Sequence, residues 1–189
     1  PRVLALSKDK RSLTITPPKE IEVLRYNKVE EKPFTVPAGQ AVTLPKVSGN
    51  MLEMNITIDP GNAKRFGIKV FCDKAGKEQT PVVIDRSKGI LQVDMRNSGI
   101  NQPVYNEFAM AFASPDPENN PVAETQDAPF ILKPGEKLQL RVFLDKSILE
   151  VFANGRQVIT QVLYPTLKDA TGIQVFTDDA PIRIESVQA

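Results

Sequence analysis

Any chemistry in this sequence would have to be done by carboxylates. The 189 residues include 23 Asp and Glu, one Cys and no His. That removes Ser-His-Asp and Cys-His catalysis, and with them the commonest zinc ligand. A pair of acids can hydrolyse a glycosidic bond, and for a retaining reaction the two carboxyl groups stand about 5–5.5 Å apart. Glu150 is the acid most open to such a role, because it lies in the most distinctive stretch, residues 137–165 (KLQLRVFLDKSILEVFANGRQVITQVLYP). It shares a strand face with Ile148 and Phe152, however, and no second acid stands at a fixed spacing from it. A structural or domain-interface role is the simpler reading. Asp145 and Ser147 flank a tight turn, where short side chains accept backbone N–H bonds. Asp85-Arg86-Ser87, completed by Lys88-Gly89, reads the same way. No catalytic residue is assigned.

Ligand sites are equally sparse. Calcium takes six to eight oxygens. Asp59 with Asn62, and Asp178 with Asp179, offer too few and fit turn chemistry, so neither a metal site nor a cofactor is expected. Sugar binding usually needs exposed aromatic platforms, and the chain has three Tyr, nine Phe and no Trp. Tyr105, in a loop, is the best single candidate for substrate binding, although packing is its simpler role. Cys72 falls on the face of Ile68 and Val70 and reads as a small buried apolar residue.

The elements that would position these residues are strands. Leu138, Leu140, Val142 and Leu144 alternate with Gln139, Arg141, Phe143 and Asp145, the period of a strand with one buried face. Asn154-Gly155 between two such runs is a strong hairpin signal, since both residues tolerate the positive φ of a type I′ turn. Residues 137–165 therefore read as a β-meander. Leu52, Met54, Ile56 and Ile58 form another single-faced row, as do Ile68, Val70 and Cys72 opposite Lys69 and Phe71.

Further runs at 3–6, 12–16, 21–26, 29–36, 41–44, 81–85, 90–95, 107–113, 172–177 and 182–186 also read as strands. Ten Gly and sixteen Pro punctuate them. Short strands at this spacing predict an all-β protein, a two-sheet antiparallel β-sandwich of the jelly-roll, concanavalin A-like kind. Residues 97–106 and 114–129 read as loops, the latter polar and proline-rich.

Composition sets outer bounds. The formal net charge is +1, with 24 Lys and Arg, so no field favours nucleic acid or an anionic membrane. No apolar run approaches the ~20 residues of a spanning helix. A length of 189 residues suits one domain. The first residue is Pro rather than Met, which suggests a piece of a longer chain.

The wording of several blocks resembles one family. LRVFLDKSILEVFANG followed by RQVITQVLYP, together with FGIKVFCDKAGKE and PVVIDRSKGILQVDMRNSG, occurs here in the order found in the C-terminal module of glycoside hydrolase family 32, the β-fructosidases. The opening Pro1-Arg2-Val3-Leu4 is similar to the start of the chain that leaves the catalytic propeller in that family. The catalytic acids of the family lie in the five-bladed propeller, in motifs like WMNDPNG, RDP and EC. This sequence lacks Trp, Arg-Asp-Pro and Glu-Cys. Asp59-Pro60-Gly61-Asn62 and Asp116-Pro117-Glu118-Asn119 imitate the first motif only superficially, and both read as turns.

The resemblance implies a non-catalytic module of an enzyme acting on sucrose, levan or inulin. Residues 1–18 would connect it to the N-terminal propeller of the same chain, and residues 19–189 would form the sandwich. A homodimer contact and a fructan are further partners that the resemblance admits, and it favours an extracellular or periplasmic location. The alternative is a fructan-binding or lectin-like module.

Overall fold

A computed structural model describes residues 1–101, 103–104 and 122–189 of the chain. Fifteen strands are present among them: β1 (Val3–Leu6), β2 (Leu13–Thr16), β3 (Glu30–Glu31), β4 (Phe34–Val36), β5 (Gln40–Ser48), β6 (Met51–Asp59), β7 (Arg65–Cys72) and β8 (Thr80–Asp85), followed by β9 (Ile90–Asp94), β10 (Thr125–Pro129), β11 (Leu138–Asp145), β12 (Ile148–Ala153), β13 (Gln157–Val162), β14 (Gly172–Thr177) and β15 (Ile182–Gln188). A six-stranded sheet runs β10-β9-β8-β7-β14-β5. A seven-stranded sheet runs β13-β12-β11-β6-β15-β3, with β4 also on β15. All pairings are antiparallel. The chain is therefore the two-sheet β-sandwich that the alternation predicts.

Its core comes from facing rows. Met54, Ile56 and Ile58 of β6 lie beside Val142, Leu140 and Leu138 of β11, and Val151 and Ala153 of β12 continue the row. The opposite sheet supplies Phe66, Ile68 and Val70 of β7, with Val82, Ile84, Leu91 and Val93 alongside. Each such Leu, Ile, Val or Phe contributes about 1.5–3 kcal/mol relative to exposure. This burial is what holds the two layers together.

Two bulges shift the alternation. In β15 the register slips between Ile184 and Ser186 opposite β6, so that Ile182, Ile184 and then Val187 face inward. In β7, Gly172 pairs with Cys72 and Gln174 with Lys69, which leaves Val70 and Phe71 opposite a single residue. Phe71 takes φ 53° and is wholly buried in the core. Alternation alone had aimed Phe71 outward with Lys69. Cys72 is buried as expected, at 6% exposure, but stands outside the contiguous core.

Other expectations are corrected. Residues 21–26 are not a strand: Lys19–Leu24 forms a 3₁₀ helix with no buried residue. The expected strand 29–36 is broken at Lys32-Pro33 into β3 and β4, which pair with different parts of β15. The expected loop 114–129 ends in a strand, since Thr125–Pro129 pairs along β9 from Asp94 to Ile90. The expected strand 107–113, the Asp116–Asn119 turn and Tyr105 lie outside the described residues.

Candidate functional site

The outer face of the seven-stranded sheet carries a linked group of charged side chains, and cross-strand register explains their meeting. Glu53 of β6, Phe143 of β11, Glu150 of β12 and Thr160 of β13 lie in one row across four strands. The next row holds Asn55, Arg141, Phe152 and Val158. All of these occupy the outward positions of strands whose other face builds the core.

Glu150 accepts a bond from Thr160 Oγ1 at 2.9 Å and from Arg2 Nε at 3.0 Å. Arg2 also donates to the Thr160 hydroxyl. Two residues along the row, Glu53 accepts from Arg25 Nε at 2.9 Å, Arg25 Nη2 at 2.6 Å, Arg141 Nε at 2.7 Å and Asn55 Nδ2 at 3.3 Å. Burial would raise the Glu53 carboxyl, but the bonds from Arg25 and Asn55 and the charge of Arg141 outweigh it and hold it below the usual carboxylate range. The Arg141 guanidinium lies 5.2 Å from the Phe143 ring centroid, and Phe143 meets Phe152 edge-on at 6.0 Å. Both acids are thus committed as acceptors for arginines, two of which come from the first 25 residues.

A second carboxylate is buried at the end of the sandwich. Glu78 is fully enclosed, though only shallowly, since it sits among loops rather than between the sheets. Its Oε1 accepts from the N–H of Ile100 and of Thr166, each at 2.9 Å. Its Oε2 accepts from Leu167 N–H at 2.9 Å, and the Thr166 hydroxyl donates to Oε1 as well. Burial pushes this carboxyl up, yet the donors more than compensate and its affinity for a proton falls below normal. The arrangement ties together three loops, those after β7, after β9 and after β13.

Glu136 does the same for the meander turn. Arg156 Nη1 reaches its Oε1 at 2.5 Å, Asn154 Nδ2 at 3.0 Å, and Lys133 N–H meets Oε2 at 2.9 Å. Despite a burial penalty, these donors lower its carboxyl to about 2. Asn154 itself sits at φ 48° and Gly155 at φ 60°, and the Asn154 Oδ1 accepts from Gln139 N–H at 2.7 Å.

The turn residues read from sequence fall out unevenly. Asp85 Oδ1 accepts from Lys88 N–H at 3.1 Å, as turn chemistry requires. At the other turn Lys146 takes φ 55°, and neither Asp145 nor Ser147 makes a side-chain bond among the described residues. Asp59 Oδ1 caps Gly61 N–H at 3.1 Å, while Asp179 accepts the N–H groups of Lys64 and Arg65 and Asp178 pairs with Arg65. Among the described residues no group of three or more acids or Cys could hold a metal ion. Tyr164 is half-exposed beside an open groove of about 380 Å³ lined by Asn50, Lys146, Ser147 and Thr166.

The sequence model described as "Glycosyl hydrolases family 32 C terminal" matches residues 20–189. The chain belongs to this family. As a family 32 C-terminal domain it is 34% identical over 177 residues to the levanase of Bacillus subtilis (strain 168), covering 91% of the chain and 23% of that protein. It is 25% identical over 201 residues to the cell wall isozyme of β-fructofuranosidase from Pisum sativum, covering 88% and 33%. In fold it resembles fructan 1-exohydrolase IIa from Cichorium intybus, with a TM-score of 0.73 at 18% identity over 99% of this chain and 39% of that one. The β-fructofuranosidase of Aspergillus kawachii gives 0.72 at 19%, over 99% and 32%. This family 32 domain thus spans a third or less of the curated relatives cited. Its first 19 residues, which carry Arg2, lie outside the family match.

Proposed function

We propose that this domain is a non-catalytic module of a larger β-fructoside-hydrolysing enzyme, packed against a catalytic propeller in the same chain and stabilising it. The observation that carries this reading is that the acids with the most hydrogen-bond partners serve as fixed acceptors. Glu150, the acid of the most distinctive motif, already accepts from Arg2 and Thr160 through its Oε1. Glu53, Glu78 and Glu136 are each held ionised by fixed donors. A general acid needs a proton near the working pH, which raised rather than lowered carboxyls provide. The names of the relatives, a levanase and a β-fructofuranosidase, supply the substrate class.

The test is an assay of this chain alone on sucrose and on levan, with released fructose as readout. No fructose is expected from either substrate. Sustained turnover by the purified chain, abolished by Glu150→Gln, would overturn the proposal.

A further inference from the structure

Three segments meet at one end of the seven-stranded sheet and leave a groove of about 380 Å³ open to solvent. They are the β5–β6 turn at Asn50, the β11–β12 turn at Lys146-Ser147, and the stretch after β13 that holds Tyr164 and Thr166. Backbone bonds lock them together: Lys146 N–H donates to Asn50 C=O at 2.6 Å, and Leu163 N–H donates to Ser147 C=O at 2.7 Å. The third wall is fixed from behind, because the Thr166 N–H and hydroxyl are both spent on Glu78. The groove is therefore prebuilt, and a ligand need not order it.

Its side chains are an aromatic ring and unspent polar groups. Tyr164 is 45% exposed. The Asn50 amide, the Lys146 ammonium and the hydroxyls of Ser147 and Tyr164 make no side-chain hydrogen bond among the described residues. Elsewhere on this sheet the exposed polar groups are paired, Glu53 with Arg25 and Arg141, and Glu150 with Arg2. A stiff Tyr beside adaptable Ser and Asn is a combination that binding surfaces use, since the ring gives contact area and the others both donate and accept. The lining holds one ammonium and no guanidinium, a poor match for phosphate or a polyanion. Leu163, the large aliphatic residue of the lining, is fully buried, so the ring and the polar groups are what a ligand meets. A neutral, hydroxyl-rich chain suits that surface: its C–H faces rest on the ring while its hydroxyls exchange bonds with the amide, hydroxyl and ammonium. The volume lies within the range of ligand pockets, about 300–1,000 Å³.

We infer that this groove binds a β-fructan chain, with Tyr164 as the platform under one sugar ring and Asn50, Lys146 and Ser147 bonding its hydroxyls. The sugar chemistry comes from the groove; the choice of fructose units rests on the reading proposed above. Because the groove is open, it admits the interior of a polymer as well as an end. The module then holds polymeric substrate in addition to stabilising its enzyme.

Isothermal titration of the 189-residue chain with levan-derived and inulin-derived oligosaccharides tests this. Saturable binding to at least one of them is expected, weakened about three- to tenfold in Tyr164→Ala and nearly retained in Tyr164→Phe. Asn50→Ala should weaken it less. Tyr26→Ala, which removes a ring 79% exposed outside the groove, should leave it unchanged. Tyr164 is half-exposed, so its variants should keep the wild-type urea midpoint. A flat titration with both sugars would overturn this inference and leave the module reading standing. So would binding that survives Tyr164→Ala but is lost in Tyr105→Ala, the candidate from the sequence. Equally tight binding of a cello-oligosaccharide would overturn the fructan assignment. Fructose released during the titration would instead overturn the module reading, whatever the binding curve.

Discussion

Thr166 gives Glu78 both its backbone N–H, at 2.9 Å, and its hydroxyl, across 88 residues of chain. With Ile100 and Leu167 adding two more N–H groups, the carboxylate stands in for a strand pairing that these loops lack. An enclosed carboxylate with no ion-pair partner among the described residues survives because several donors are aimed at it. Glu78→Gln removes the charge and turns an NH₂ group toward N–H donors. The expected cost is about 2–3 kcal/mol, seen as a lower urea midpoint with an unchanged slope. Thr166→Val, which removes one hydroxyl, should cost less. A Glu78→Gln midpoint equal to wild type at neutral pH would mean that the charge is not used.

The same logic fixes the pH dependence. The Glu136 carboxyl sits at about 2 in the fold, against roughly 4.3 in an unfolded chain. A lowered value means that the stabilisation is fully present above the unfolded value and is lost as pH falls toward the folded one. Glu78 and Glu53 are shifted in the same direction. Stability should therefore drop steeply below about pH 4.3. The Glu136 share is about 1–2 kcal/mol, discounted because its side chain is 25% exposed. Urea midpoints measured from pH 6 to pH 2.5 should fall less steeply for Glu136→Gln than for wild type. Parallel curves would rule the Arg156–Glu136 pair out as a source of that slope.

What could be read from the sequence follows from which interactions are local. The rows Met54-Ile56-Ile58 and Leu138-Leu140-Val142 were legible because one face of each strand is buried along its whole length. Asn154-Gly155 was legible because a two-residue turn with both φ values positive selects these residue types. The 3₁₀ helix was not: Glu20, Ile21, Glu22 and Val23 alternate like a strand, but that segment has no neighbouring strand to pair with. Arg25 is drawn to Glu53 instead. Thr125–Pro129 looked like loop because an edge strand needs only Gln126 and Ala128 half-buried. Phe71 was misplaced because a bulge is set by the register with β14, a non-local fact. The polar site was the least legible part. Glu150 stood out as structural, but its partner Arg2 lies 148 residues away, and Glu78 gave no local sign of its donors.

Packing between strands makes one substitution severe. Gly67 lies within β7 opposite Val83, and a Cβ there would stand 2.0 Å from the Val82 carbonyl oxygen. The obstacle is backbone of a paired strand, which cannot swing aside as a side chain can. Gly67→Ala should cost about 3 kcal/mol or more. Gly76→Ala is the comparison: its φ of 71° is unfavourable for Ala, but nothing lies within 4 Å of the new carbon. That change should cost about 1–2 kcal/mol. Thermal or urea denaturation of the two variants would rank them, and a Gly67→Ala protein as stable as Gly76→Ala would refute the steric argument.

Cys72 offers a test of the local environment that leaves the fold untouched. Burial raises its thiol to about 11, with Lys69 opposing and Asp73 reinforcing the shift. At pH 8 roughly one thiol in a thousand would be ionised, against about a quarter for a free cysteine. The residue is also only 6% exposed. Ellman's reagent at pH 8 should therefore leave the native chain unmodified over the time in which one equivalent reacts in urea. Because attack needs both access and thiolate, the native reaction should follow transient opening and accelerate in variants that loosen the loop after β7, Glu78→Gln first among them. Rapid stoichiometric reaction of the native wild type would show that Cys72 is neither covered nor protonated as the packing around β7 and Gly172 requires.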